Sequence, residues 1–425
     1  MKAYKHRIAD DLLMRKLAGK GAVLIEGTKW CGKTTTARQF AGSSLMLGNI
    51  DTLKKSLEQL EFSPEYLMQG ATPRLFDEWQ TMPALWDMVC SAVDERGEVG
   101  QFILTGSSVL PDADATIHSG TGRITRLKMR PMSLYESGES SGEVSLKDLF
   151  EGKVIQPIRN TSDLEAITYL ICRGGWPQAT FMTGTAALDQ AYDYFDAVIE
   201  NDIRRVDNVH RSTERSRLIL RSYARNIGQQ VPFSTICADM KANESSSISD
   251  ETVADYVGAL KKLFALEDMP SWNPNLRSRT VIRTSDNRYF VDPSIAVAAL
   301  GIGPKDLIKN LKACGMFFEN MAVRDLRVYA ELLDGKLYHY RDSNGLECDA
   351  VLHLRNGRYA LIEIKLGGET KINEGAASIN ALRKILDTDK MNVPSFCMIL
   401  TAVGQFAYQR KEDGIFVVPI TCLKP

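Results

Sequence analysis

Gly27, Gly32, Lys33 and Thr34 stand in the order G-x-x-x-x-G-K-[ST] within "EGTKWCGKTTTA", residues 26–37. That spacing suits a loop whose backbone N–H groups turn inward around phosphate oxygens, closed by a helix whose N-terminal dipole favours the same anion. Lys33 would reach the β and γ phosphates of ATP, and Thr34 would hold Mg²⁺. Thr28, Lys29, Trp30 and Cys31 fill the variable positions, where only the backbone is used, and Thr35 opens the helix beside Thr34. Trp30 and Cys31 are unusual residues for such a crown, yet they spare every contact the chemistry needs.

A second group follows at "PRLFDEWQ". Asp77 and Glu78 end an apolar run that reads as a strand, the place where doubly wound sheets put ligands. Asp77 would bind Mg²⁺ through water, and Glu78 would orient or deprotonate the attacking water. In "GQFILTGSS" another apolar strand ends in Thr105, Gly106, Ser107 and Ser108, where a polar side chain can touch the γ-phosphate or the water. Arg123 precedes a further strand. In ring-forming ATPases an arginine so placed often points into the neighbouring subunit's site; the alternative is a solvated or salt-bridged arginine.

A third constellation lies near the end of the chain. Asp349 sits in "LECDAVLHL", Glu363 and Lys365 in "YALIEIKLG", and Asn356-Gly357 between them read as a hairpin turn. Side chains two apart on a strand share a face, so Glu363 and Lys365 point together towards Asp349 across the hairpin. This is the arrangement of the PD-(D/E)xK nuclease fold. Two carboxylates would hold Mg²⁺ while Lys365 polarises the water that attacks a phosphodiester, with Glu319 adding a carboxylate from the preceding helix. The fold also occurs as a DNA-binding or assembly module without cleavage, and charged alternation also marks an exposed sheet face.

The elements that must position these groups are legible in outline. Three apolar strands separated by helical stretches imply an α/β nucleotide-binding domain over residues 1–132. Apolar residues three and four apart in "DLEAITYLICRG" and "ALDQAYDYFDAVIENDIRRVD" imply a helical lid over 133–210. Glu200, Asp202, Arg204 and Arg205 cluster on its last helix, as a solvated face or a subunit contact. Residues 211–300 read as helix, helix, helix and hairpin, the order of a winged helix, with Ser285-Asp286-Asn287 as the turn. Arg277, Arg279, Arg283 and Arg288 beside that wing suit phosphate contacts, whereas the acidic "DETVAD" argues for a protein-interaction role. Residues 301–425 hold the nuclease-like constellation.

Composition sets the bounds. The 425 residues suffice for two to four domains, and 44% hydrophobic with 25% charged residues is ordinary for a globular chain. A formal net charge of −1 gives no global attraction to nucleic acid or membrane, so any basic patch must be local. No apolar run approaches the roughly 18 residues of a membrane span, and the N-terminus lacks the apolar core of a signal peptide. Eight cysteines without a C-x-x-C pair suggest neither zinc nor disulfides. A cytoplasmic protein is expected.

The order of motifs resembles a family of bacterial and archaeal AAA-type ATPases whose C-terminal part is a domain of unknown function. The likeness runs through "YKHRI", "GTKWCGKTTTA", "FDEWQTMPALWDMV", "FILTGSS", "GRITRLKMRPMSLYE", "GGWPQA", "YFVDPSIA" and "ECDAVL…ALIEIKLG". The crown departs from the family's basic-aliphatic pattern only at Trp30 and Cys31. "CRGGWPQA" is similar to the glycine–proline motif of signal-transducing ATPases, which implies that Pro177, after Gly174 and Gly175, packs on adenine; a plain turn between lid helices is the alternative. The expectation is a multidomain AAA-type ATPase partnered by DNA or another nucleic acid and assembled as a homo-oligomer, a ring being one such form. Hydrolysis would regulate the C-terminal module; alternatively ATP acts as a switch and the C-terminal domains only bind partners.

Overall fold

The structure is a computed structural model that describes residues 3–106, 119–204, 206–207, 209–241, 248–273, 285–386 and 391–425. Ser107, Ser108, Arg205, Arg277, Arg279 and Arg283 lie outside the described residues.

The N-terminal unit contains α1 (Ile8–Leu17), β1 (Ala22–Gly27), α2 (Lys33–Phe40), β2 (Ser43–Met46), α3 (Ile50–Phe62), β3 (Arg74–Asp77), α4 (Ala84–Arg96), β4 (Phe102–Gly106) and β5 (Ile124–Met129). Its five strands form a parallel sheet in the order β2-β3-β4-β1-β5. Helices cover both faces, which is why β1 and β4 read as continuous apolar runs rather than alternating ones. Because every strand runs the same way, the loops after β1, β3 and β4 emerge along one edge.

Next come α5 (Leu134–Ser137), β6 (Val144–Ser145), α6 (Leu146–Phe150) and β7 (Ile158–Arg159). The expectation of a helical lid from residue 133 needs correction here. β7 pairs with a C-terminal strand, Phe406 opposite Arg159, and β6 pairs with the chain's last strand, Leu423 opposite Val144. Two-residue strands carry no periodicity of their own; the pairing, not the pattern, makes them strands.

The helical stretch proper holds α7 (Leu164–Arg173), α8 (Gly184–Ala197), α9 (Thr213–Arg225), α10 (Phe233–Lys241) and α11 (Asp250–Lys262). α8 runs on into a π-helical turn, Val198–Asp202. Ser249 caps α11 by accepting from the Thr252 N–H. After α11 the chain makes antiparallel bridges, Leu266 with Phe290 and Met269 with Asn287. Asn287 is therefore a paired residue, not part of a Ser285-Asp286-Asn287 turn. The same hairpin adds to the C-terminal sheet through a parallel bridge between Ser271 and His339.

The C-terminal unit runs through α12 (Pro293–Leu300), α13 (Pro304–Lys309), α14 (Leu311–Leu332), β8 (Gly335–Arg341), β9 (Glu347–Leu354), β10 (Tyr359–Lys365), α15 (Glu369–Ile385), β11 (Phe396–Thr401), β12 (Phe406–Gln409), β13 (Phe416–Pro419) and β14 (Leu423–Lys424). Its seven-stranded mixed sheet has the order β7-β12-β13-β11-β10-β9-β8. α14 is buried along most of its length and packs on β8, β9 and β10. No helix among the described residues is long and apolar enough to cross a membrane.

Candidate functional site

The loop between β1 and α2 does what its glycines allow. Gly27 has φ +147° and Gly32 φ +101°, and a Cβ on Gly27 would lie 2.0 Å from the Met129 carbonyl oxygen. Only glycine fits that close approach of two backbones. Lys33, at the first position of α2, donates from Nζ to the carbonyls of Gly27 and Thr28, each at 2.8 Å, and so lies across the concave side of the loop. Thr34 Oγ1 donates to Asp77 Oδ1 at 2.6 Å, and Thr105 Oγ1 donates to the same oxygen at 2.6 Å. Three separate chain segments thus converge on one carboxylate at the exit edge of the sheet. These are hard oxygen donors of the kind Mg²⁺ selects, so the residues present fit that ion.

Glu78 follows Asp77 in the left-handed region, φ 57° and ψ 44°. That conformation is costly for a residue with a Cβ and turns the chain sharply at the strand end. Gln80 Nε2 donates to Glu78 Oε2 at 2.5 Å, holding the carboxylate at the rim of the cleft.

A cleft of about 600 Å³ opens beside the loop, lined by Lys29, Trp30, Lys33, Thr34, Glu78 and Pro177 among others. Trp30 is half exposed at φ 63°, with its ring edge-on to Tyr194 at 5.9 Å. Thr28 hydrogen-bonds Tyr194, and Lys29 pairs with Asp202 at 2.5 Å, so helix α8 and its π turn contact the crown directly. Cys31 is buried and gives its carbonyl to Arg7 Nη1 at 2.8 Å. Thr35 lines this cleft and a second, adjoining one of about 500 Å³. That second cleft is walled by Tyr4, Arg7, Gln39, Met132, Pro177 and Phe181, a largely apolar slot. Pro177 borders both.

The sequence reading assigned no role to Tyr4, Arg7, Phe181 or Tyr194. Tyr4 donates to Asp10 Oδ1 at 2.6 Å and meets Thr36 Oγ1 at 2.9 Å. The available signal was the aromatic and basic "YKHRI" ahead of the first helix, whose spacing says nothing of a contact with α2. Gln190 and Tyr194 are four apart on α8, the one-face spacing that a lid reading could have used.

Arg123 is placed elsewhere. β5 runs parallel to β1 with Ile124 opposite Ala22 and Met129 opposite Gly27. Arg123 therefore sits at the far end of the sheet, about 20 Å from the loop along a six-residue strand. It is ion-paired there with Asp94 at 2.6 Å. Within one chain it does not join the nucleotide cleft.

Two buried polar routes lead from the cleft to α14. Arg7 binds the Cys31 and Arg130 carbonyls and, through Nε, Glu136 at 3.0 Å. Arg130 in turn grips Glu267 at 2.7 and 2.8 Å and Glu331 on α14 at 2.7 Å. Its charge holds the buried Glu267 carboxyl well below the usual range, against the desolvation that opposes ionisation. On the second route the Gly175 N–H donates to Asp292 Oδ2 at 2.9 Å. Arg324 of α14 bridges Asp292 and Asp325, each at 2.8 Å, and Asp325 accepts the Leu134 N–H at 2.9 Å. Burial raises the Asp325 carboxyl to about 6 despite Arg324 beside it.

The third constellation assembles at the C-terminal sheet. The β9–β10 ladder stops at Ile362 opposite Ala350, and the Asp349 carboxylate takes the next N–H, that of Ile364, at 2.7 Å. The strands splay at that point and Asp349 enters the gap. Lys365 Nζ lies 2.8 Å from Asp349 Oδ2 and 2.6 Å from Glu363 Oε2. Glu363 Oε1 is buried with no hydrogen-bond partner. Burial and the neighbouring Asp349 charge push the Glu363 carboxyl well up and Glu319 to about 8. Glu319 accepts from Tyr289 OH at 2.5 Å, a residue of the preceding hairpin.

An expectation is corrected at this point. Among the described residues no three His, Cys, Asp or Glu side chains converge closely enough to hold a metal ion, so Glu319, Asp349 and Glu363 do not form a shared metal site as placed. The reason is that Lys365 occupies the space between Asp349 and Glu363, while Tyr289 holds Glu319 aside. Asp349 and Glu363 still offer two oxygen ligands, and the orphaned Oε1 fits a cation that would displace the lysine.

Comparison with known proteins agrees with this geometry at the N-terminus. The family described as AAA domain matches residues 19–138. Two families described only as domains of unknown function match residues 164–306 and 314–423. Residues 19–138 match the AAA domain, in keeping with the α/β P-loop nucleotide-binding fold of that segment. Among solved structures the chain is similar to a Walker-type ATPase of Pyrococcus abyssi, at 14% identity and a TM-score of 0.40, covering 68% of this chain and 94% of that one. It is more distantly similar to Drosophila ORC bound to DNA, at 14% identity, a TM-score of 0.18 and coverage of 69% and 85%. The helicase domain of Pyrococcus furiosus Hef gives 10% identity, a TM-score of 0.21 and coverage of 94% and 90%. These likenesses are too distant to assign a function. No curated protein matches the chain.

Proposed function

We propose that this chain is a Mg²⁺-dependent ATPase whose nucleotide state governs a C-terminal nucleic-acid-binding or nuclease-like module. One observation carries the reading: Thr34, Thr105 and Asp77 meet through two 2.6 Å hydrogen bonds beside Lys33, at the rim where Glu78 is turned outward. Lys33 and the loop N–H groups would hold the β and γ phosphates, Thr34 and Asp77 would hold Mg²⁺, and Glu78 would orient the attacking water. A bound Mg²⁺ supplies charge neutralisation at the transferring phosphate. Pro177, Tyr4 and Phe181 would flank the base. Release of phosphate from ATP tests this: Lys33→Ala is expected to lose nucleotide binding, and Glu78→Gln to bind ATP while hydrolysing it at least roughly a hundredfold more slowly. A Glu78→Gln protein that turns over at the wild-type rate would contradict the assignment.

The three helices over 213–262 and the antiparallel pair after them support a winged-helix reading of that segment. Asp349, Glu363 and Lys365 on splayed strands support a nuclease-like reading of the C-terminal sheet. A second version, in which that sheet binds without cutting, is favoured by Lys365 sitting where a metal ion would have to go. Incubating linear DNA with Mg²⁺ or Mn²⁺ separates the two. Metal-dependent cleavage lost in Lys365→Ala supports the nuclease; no cleavage by the wild type with hydrolysis of ATP intact leaves a binding module.

A further inference from the structure

A third cleft, of about 560 Å³, is lined by residues of the N-terminal and C-terminal sheets and shares no lining residue with the two clefts beside the loop. Its walls come from α1, from the β1 and β5 edge, and from the β8–β9 pair. Six Lys and Arg side chains line it against three carboxylates, Glu26, Glu331 and Asp334. On a chain whose formal charge is −1 that is a local excess of cations. Two of the six are neutralised at short range by lining carboxylates, Arg126 by Glu26 at 2.8 Å and Arg15 by Asp334 at 2.9 Å. Lys128 pairs with Glu267 at 2.9 Å. Lys16, Lys336 and Arg355 make no ion pair among the described residues, and Lys336 and Arg355 are exposed.

Beside these cations stand two rings. Tyr338 of β8 and His353 of β9 are edge-on to each other at 6.5 Å and both line the cleft. Both residues are partly exposed, and the His353 ring also lies near Trp272 and Tyr359, at 6.5 and 6.2 Å. Unpaired cations interleaved with partly open aromatic faces are what a flexible polyanion with planar groups requires: phosphates for the cations, bases for the rings. The cleft is too small for a duplex and large enough for a few nucleotides of one strand. His353 and Asp349 are four residues apart on β9, hence on the same face and roughly 13 Å from each other.

We propose that this cleft is a single-stranded nucleic-acid site, with Lys16, Lys336 and Arg355 on the phosphates and Tyr338 and His353 under the bases. The inference rests on the nucleic-acid reading of the C-terminal module and adds where the strand is held. The test is fluorescence anisotropy of a labelled oligothymidylate titrated with the full chain over a range of salt. Removing three phosphate contacts in Lys16→Ala/Lys336→Ala/Arg355→Ala should weaken binding roughly tenfold or more and flatten the slope of log K against log salt by about 2. Tyr338→Leu should weaken binding roughly tenfold with the slope unchanged. Lys54→Glu/Lys55→Glu, on the exposed face of α3, is the charge control and should bind as the wild type does. If the triple variant unfolds, Lys336→Ala and Arg355→Ala singly should each lower the slope by about 0.7. Wild-type affinity and slope in the cleft variants would overturn the cleft while leaving the nucleic-acid reading intact. Binding of duplex but not of the single strand would overturn the cleft as well. No binding of any oligonucleotide by the wild type, with free ATP still bound, would remove both.

Discussion

His339 shows how one residue sets the docking of a whole hairpin. Its backbone N–H donates to Pro270 and its carbonyl accepts from Trp272, while its ring is buried against Gln230 and the Ser285 carbonyl. Burial, with Arg341 nearby, lowers its pKa to about 4. An unfolded histidine titrates near 6.5, so between about pH 6.5 and 4 the unfolded chain takes up a proton that the folded one refuses. Stability contributed by neutral His339 is therefore complete above about 6.5 and is lost as the pH falls towards 4. His339→Gln should remove that part of the acid sensitivity in urea titrations between pH 7 and 4.5; an unchanged pH slope would contradict the burial argument. Gly175 makes a steric claim at the same scale. A Cβ there would sit 2.1 Å from the Met132 carbonyl oxygen, so Gly175→Ala should cost about 1–3 kcal/mol of unfolding free energy.

At the scale of elements, α14 stands out because charges are buried inside it. Arg324 is almost fully buried between Asp292 and Asp325. Replacing it with methionine strands two carboxylates in the interior, and breaking a pair in this way costs about 3–5 kcal/mol. Thermal unfolding of Arg324→Met should show that loss, and Asp292→Asn in the same background should recover part of it. What the sequence revealed about elements follows the same physics. Apolar runs of 22–27 and 102–106, and the alternation around Glu363 and Lys365, are local signals, so the loop residues, Asp77, Thr105 and the Asp349 hairpin were legible. β6 and β7 are strands only because β14 and β12 lie beside them. The antiparallel partner of Asn287 is Met269, 18 residues earlier, a contact no turn signal announces. Tyr4, Arg7 and Phe181 reach the cleft through tertiary packing, and Arg123 stands just before β5, as the sequence indicated, in the salt-bridged form that was one of its two readings.

For the whole molecule, the architecture ties the nucleotide cleft to the C-terminal sheet by covalent and non-covalent routes at once. The segment after β5 threads into that sheet as β7 and pairs with the last strand, β14, as β6. Arg7–Arg130–Glu331 and Gly175–Asp292–Arg324 both end on α14, which also carries Glu319 beside the Asp349 group. Interior groups packed this tightly shift as units rather than deform gradually. A change at the crown or at the Gly175–Pro177 turn is expected to be felt along α14. The most direct measurement is hydrogen–deuterium exchange across residues 311–332, with and without ATP and Mg²⁺, in Glu78→Gln to prevent turnover and in Lys33→Ala as the control. The account predicts that ATP alters protection of this helix in Glu78→Gln and leaves it unaltered in Lys33→Ala. Changes confined to the loop and α8, with α14 exchanging identically in all four samples, would contradict coupling of the nucleotide to the C-terminal module.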